Sequence, residues 1–154
     1  MDHDYWMNLA FREAERAFEA NEVPVGAIIV QEDRIIGRGS NQVEQLQDPT
    51  AHAEMIAMTA AANTLGSKWL ENCTLYVTLE PCTMCAGAIV LARISHLVYG
   101  ASDLKAGGCG SVFDIVNAPA LNHRIVPTAG IMAPQCSSIL QEFFSRRRKK
   151  AGGN

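Results

Sequence analysis

Apolar residues recur at helical intervals along the first twenty positions. Met7, Phe11, Ala14 and Phe18 follow a 4-3-4 spacing, which predicts an amphipathic helix over residues 4–20. The rhythm then changes. Val25 to Val30 is a short β-rich run, Arg34 to Asn41 can return as a second strand, and Gln31-Glu32-Asp33 between them suits a hairpin turn. Asp48-Pro49 has the form of a helix start, with Asp48 as N-cap and Pro49 in the first turn. The helix it predicts carries His52 and Glu54 and runs through an Ala/Met-rich stretch to about Leu65, with Gly66 as its stop. Thr74 to Leu79 reads as a β-branched and aromatic strand. Pro81 begins a helix to about Arg93, and Leu97 to Gly100 is a further strand. Ile125 to Thr128 is a fifth, and Pro127 within it suggests a sheet edge. Pro134 to Lys149 is the closing helix, and a tail over 151–154 is expected to fray.

This order, α-β-β-α-β-α-β, then a long connection and β-α, implies an α/β layered fold with a sheet between helices. The first hairpin is antiparallel by necessity, so the sheet is mixed. A chain of 154 residues, 48% hydrophobic and 19% charged, fits one domain, here residues 1–150, around one sizeable core. No apolar run approaches the ~18 residues of a membrane span. The acidic start, Met1-Asp2-His3-Asp4, lacks the basic opening of a secretory signal, so the chain reads as cytoplasmic. A net charge of −3 excludes a global basic field for nucleic acid. Locally the balance reverses, because Arg146-Arg147-Arg148-Lys149-Lys150 gathers five of the thirteen basic residues. Such a run is usually a solvated helix end, and it is also enough to hold a phosphate backbone.

Five cysteines, an odd number without an export signal, argue against a disulfide framework. Cys73, Cys109 and Cys136 read as small buried hydrophobes. Cys82 and Cys85 are different. Three apart at a helix start, they share a face, and the helix N-terminus favours their thiolates. Alone, this C-x-x-C leaves a redox pair or two buried cysteines in contention. With His52 it offers three ligands to a zinc ion that takes four, the arrangement of a catalytic site with one position open to water. Glu54 lies two residues from His52, and i, i+2 side chains on a helix face different ways, so it is expected to work on the water rather than bind the metal. Zinc brings the pKa of bound water toward ~7. Glu54 then takes its proton, hydroxide attacks an aromatic amidine carbon, and the same carboxyl returns protons to the ring nitrogen and the departing amine.

The pattern His52-Ala53-Glu54 followed by Pro81-Cys82-Thr83-Met84-Cys85 is that of zinc nucleobase deaminases. Over nearly its full length the chain resembles the bacterial tRNA-specific adenosine deaminases of the cytidine deaminase superfamily. The zinc motif carries the superfamily. Glu22-Val23-Pro24-Val25-Gly26-Ala27, Asn122-His123-Arg124, Phe143-Phe144 and the arginine-rich end narrow it to the tRNA branch. The resemblance implies a three-layer α/β/α cytidine deaminase-like fold with a five-stranded mixed sheet flanked by helices. It also implies one Zn2+ per chain, a homodimer, and conversion of the wobble adenosine of a tRNA anticodon loop to inosine by attack at C6. By the same resemblance Asn41 and the backbone at Ala53 hold the purine. Asp103, Lys105 and Asn122 contact the RNA loop, Phe144 stacks on a base and Arg148 meets a phosphate.

Two other functions compete. A deaminase of free bases or nucleosides, of guanine or cytosine type, fits the superfamily motif but leaves the aromatic and basic last helix without a task. A non-catalytic zinc module needs a fourth protein ligand, from Cys73, Cys109 or His96, and leaves Glu54 idle.

Overall fold

The computed structural model describes residues 2–152. In chain order the elements are α1 (His3–Glu19), β1 (Gly26–Gln31), β2 (Arg34–Ser40), α2 (Val43–Leu46), α3 (Ala53–Leu65), β3 (Thr74–Leu79), α4 (Thr83–Leu91), β4 (His96–Ala101) and α5 (Ala133–Gly152). The sheet order is β2-β1-β3-β4. β1 runs antiparallel to both β2 and β3, and β3 runs parallel to β4. The expected mixed sheet between helices is present, with four strands among the described residues rather than five.

The period-two alternation of the inner strands divides the core in two. Ala27, Ile29, Leu75, Val77, Leu97 and Tyr99 pack with Ala53, Ala57, Met58 and Ala61 of α3 and with Ala86 and Ile89 of α4. Ile28, Val30, Tyr76 and Val98 face the other way, onto Met7 and Ala10 of α1. Both faces of β1 and β3 are therefore buried, which is why these strands read as near-continuous apolar runs.

Four sequence expectations shift for identifiable reasons. The buried face of α1 is Met7, Ala10, Ala14 and Ala17, whereas Phe11 and Phe18 are half-buried at its margin. The contact is too close for large residues: a Cβ at Gly26 would stand 2.1 Å from the Ala10 carbonyl oxygen. Alanines carry this face, and the larger phenylalanines misplace its phase. Asp48 does not cap α3. Its carboxylate accepts from the Thr50 amide at 2.8 Å and the Thr50 hydroxyl at 2.7 Å, closing a local turn. Helix α3 starts only at Ala53. The fifth strand over 125–128 reduces to one parallel bridge, Val98 to Thr128. Within this segment only the Thr128 backbone pairs with β4, donating to Leu97 and accepting from Tyr99, each at 2.9 Å, while Ile125 donates instead to the Val116 carbonyl at 2.7 Å. Pro127, next to Thr128, falls on the side facing away from β4, where a missing N–H is tolerated. Finally, α5 takes in Ala151 and Gly152, which the sequence suggests as part of a frayed tail, while Gly153 and Asn154 lie outside the described residues.

The turn between β1 and β2 has Glu32 and Asp33 at φ 51° and 58°. Two successive left-handed residues give the primed hairpin turn that matches strand twist.

Candidate active site

Strand directions place the C-terminal ends of β2, β3 and β4 and the N-terminal end of β1 at one end of the sheet. Helices α3 and α4 both start there. His52 is the N-cap of α3, with extended backbone at φ −77° and ψ 153°, and Cys82 is the N-cap of α4. Cys85 follows in the first turn of α4 and is fully buried. Gly39 of β2 lets α3 come close, since a Cβ there would stand 2.2 Å from the Ala53 carbonyl oxygen. The ligand candidates thus stand on backbone positions fixed by helix starts rather than on free loops.

His52 Nδ1 lies 3.6 Å from Cys82 Sγ and 3.5 Å from Cys85 Sγ. A tetrahedral zinc with ordinary Zn–S and Zn–N bonds separates such a nitrogen and sulfur by about 3.6 Å. The donor set and its spacing therefore fit that ion. Among the described residues these three form the one group whose ligand atoms all approach within 4.8 Å, so no fourth side chain joins them. Cys109 instead places its thiol against the Pro81 carbonyl, and Cys73 against that of Glu71. That leaves a three-ligand site, the form that keeps a position open.

The three side chains share protons among themselves. Cys82 is held down to about 3, first by a hydrogen bond from Cys85 and then by His52. Cys85 moves the opposite way, because it keeps the proton it shares with Cys82 and is itself buried. His52 is raised by its contact with Cys82. Glu54, 4% exposed, is pushed up to about 7 by burial. Its charge acts on the Cys85 thiol, yet it stands outside the ligand group. The separation of roles expected from i, i+2 spacing has a different local origin: His52 is not helical, and the helix boundary falls between it and Glu54.

A cavity of about 260 Å³ opens over this cluster. That is at the small end of ligand pockets and suits one heteroaromatic ring system. Val23, Val25, Val43, Leu79 and Ala106 supply apolar lining. Asn41, His52, Ala53, Glu54, Cys82 and Asp103 supply polar or backbone groups, and Arg147 stands at the wall.

The remaining candidates divide. Asn41, 7% exposed, lines the cavity with Ala53 and Asp103. The Asp103 carboxylate turns back to accept from the amides of Lys105 and Ala106, both at 3.1 Å, so it shapes its own loop. Lys105 is exposed outside the cavity lining. Asn122 is in neither the cavity nor its rim. It lines a separate groove with Trp69, Leu91 and Arg93, and its neighbour His123 bonds the Ile94 carbonyl at 2.6 Å. Phe143 is 5% exposed and Phe144 40%, as successive helix positions require. Arg148 is exposed on α5, and it is Arg147 that reaches the cavity. Five like charges in a row carry no phase signal, so only the fold picks Arg147 out. Glu22 and Glu80 also line the cavity, and sequence reasoning misses both as site residues, although each lies in or beside a motif that carries the resemblance. A charged residue between Leu79 and Pro81, in a run headed for the core, was the available signal.

Comparison with known proteins agrees with the geometry. The MafB19-like deaminase family matches residues 1–148. The tRNA-specific adenosine deaminase of Aquifex aeolicus (strain VF5) is 52% identical over 148 residues, covering 96% of this chain and 97% of that protein. A solved structure from studies of A-to-I editing by tRNA:A34 deaminases at the wobble position of transfer RNA is 43% identical. It superposes with a TM-score of 0.85, covering 88% of this chain and 99% of that one. Guanine deaminase from Bacillus subtilis is 33% identical with a TM-score of 0.65, covering 94% of this chain and 95% of that one.

Proposed function

This chain belongs to the MafB19-like deaminase family and, within it, to the tRNA-specific adenosine deaminases, and on that premise we propose that it converts the wobble adenosine of a tRNA anticodon loop to inosine. The observation that carries the chemistry is Glu54: a carboxyl buried against a three-ligand cluster, outside the ligand group, and facing a cavity for one base.

His52, Cys82 and Cys85 would hold Zn2+. When bound, the metal supplies the Lewis acidity that makes water a nucleophile at neutral pH. Glu54 accepts the water proton, donates it to the purine ring nitrogen, and passes a second proton to the amine as the C6–N bond breaks. Water and adenosine become inosine and ammonia. Asn41 hydrogen-bonds the purine, and the backbone at Ala53 helps hold it. A pocket this size admits the base only once it has left its stack, which anticodon loops allow at low cost. At the cavity wall Asp103 meets the loop and Arg147 takes a phosphate; outside it Lys105 and Asn122 meet the loop, Phe144 stacks on a flanking base, and Arg148 takes a second phosphate. Asn122 lies in a groove away from the cavity, where exposed Trp69, Leu91 and Leu121 form an apolar surface. That surface supports a homodimer, in which Asn122 serves the neighbouring copy's substrate. Among the described residues no helix is long and apolar enough to cross a membrane, and the tRNA substrate favours a cytoplasmic protein.

Inosine detection in tRNA incubated with the pure protein tests the reaction, with Glu54→Ala as the control that keeps metal and loses activity. The likeness to guanine deaminase supports a second reading, turnover of a free base. An anticodon stem-loop should be deaminated far more efficiently than free adenosine or guanine. Equal turnover of a free base would remove the tRNA assignment.

A further inference from the structure

Each inner strand meets the site end of the sheet beside a buried carboxylate that the deamination chemistry does not use. Glu22 lies before β1 and Glu80 directly after β3, and each is 1% exposed. A carboxylate taken out of water is costly unless donors surround it. In both cases the donors belong to the loop leaving the neighbouring outer strand. Glu22 accepts from the amides of Glu44 at 3.0 Å and Gln45 at 2.7 Å, in the first turn of α2 beyond β2. Gln42, the N-cap of α2, makes no side-chain capping bond, so Glu22 performs from a distance what a cap does locally. Glu80 accepts from the amides of Asp103 at 3.0 Å and of Cys109 and Ser111 at 3.1 Å, and from the Ser111 hydroxyl, all beyond β4.

The segments so held are opposite walls of the cavity: Asn41 and Val43 on one side, Asp103 and Ala106 on the other. Helix α2 buries no residue of its own, and residues 102–106 are half-buried or exposed. Loops with so little packing take their position from hydrogen bonds, and bonds to a charged acceptor are the strong kind. We propose that Glu22 and Glu80 are positioning residues for the base, one carboxylate per inner strand, each fixing one wall of the pocket through backbone hydrogen bonds. His52, Glu54, Cys82 and Cys85 stand at the starts of α3 and α4, and the backbone bonds that tie them to the two loops, Gln42 to Ala51 at 3.0 Å, Gly108 to Pro81 at 2.7 Å and the Cys82–Gly107 bridge, involve neither Glu22 nor Glu80. Loss of a wall should therefore weaken capture of the base and spare the metal.

Glutamine at either position keeps one acceptor oxygen and turns an NH2 group toward the amide served by the other. For Glu22→Gln and Glu80→Gln the expected result is unchanged metal stoichiometry, and KM for an anticodon stem-loop raised about tenfold with kcat within about threefold. Backbone amide exchange should accelerate at Glu44 and Gln45 in the first variant, and at Asp103, Cys109 and Ser111 in the second. Leu97→Val, a core change at the far end of β4, should lower the thermal midpoint and leave KM at the wild-type value. Should Glu80→Gln not fold, Ser111→Ala removes one of the four donors and should give its pattern at smaller amplitude. Wild-type KM alongside accelerated exchange overturns the proposal. So does exchange that spreads to both loops in each variant, or activity loss explained by lost metal. The activity arm rests on the tRNA-editing function proposed for this site and the exchange arm does not. A wild-type protein that edits no RNA therefore refutes that function and leaves the role of the two carboxylates to be decided by exchange.

Discussion

The sheet end and the C-terminal helix, which in the function proposed above share one substrate, are built in opposite ways. At the sheet end, His52 and Cys82 are helix N-caps, Cys85 and Glu54 are buried in first turns, and a glycine contact sets α3 against β2. Little there can move without unfolding something. On α5 the groups are exposed and held only weakly. Arg146 stacks over Phe18 at 5.0 Å and pairs with Glu142 at 2.7 Å, and Arg147 stacks over Phe143 at 5.2 Å. Contacts of these kinds at exposed sites are worth roughly 0.5–1 kcal/mol each. Bond making needs atoms placed to within fractions of an ångström before substrate arrives. Holding a flexible polyanion needs charge at approximate positions, and mobile side chains supply it.

That contrast can be broken at several points. The largest effect is expected at the metal. His52→Ala removes one of three ligands, and metal analysis should find the ion lost and inosine formation reduced to background. Next is Glu54→Gln, which should retain metal and fold while turnover drops by about 10²–10⁴-fold; an empty site in this variant would make Glu54 a ligand and blur the division of roles. Replacing Arg146 to Lys150 by neutral residues should leave turnover of bound RNA intact and flatten the salt dependence of binding, the logarithmic slope falling by about 0.7 for each phosphate no longer neutralised. An unchanged slope reduces the run to a solvated helix end. The smallest effect separates two neighbours. Phe144→Ala should cost about 1 kcal/mol of RNA binding with no change in melting. Phe143→Ala should lower the thermal midpoint, since that ring is buried against Phe18. Equal effects of the two would mean that α5 is merely packed on the domain.

What could be read in advance follows the same division. The strand Thr74–Leu79 is found at its expected bounds, because six β-branched, aromatic and apolar residues between turn signals leave little choice. The ligand triad was legible because its chemistry demands particular residue types at particular spacings. Helix phase was not legible where alanines make the contact, as on α1. The cap signal at Asp48 was sound chemistry spent on another turn. Arg147 and Glu22 come to the cavity only because α5 and the segment before β1 meet there, which no local pattern records, whereas the charge of Glu80 within an apolar run was a signal that could be read. Asn122 is the reverse case: a motif residue that the fold puts in another groove, which no spacing along the chain foretells.

The stunted fifth strand has a consequence for how molecules of this protein behave in a crowd. Thr128 and Gly130 occupy the Leu97, Tyr99 and Gly100 backbone groups along the outer rim of β4, and Pro127 interrupts the segment that covers it. A strand arriving from a neighbouring chain meets a rim already spoken for, behind a residue that cannot extend a ladder. On this flank the described residues offer a poor template for strand-by-strand polymerisation, and the outward-facing proline guards against fibre growth.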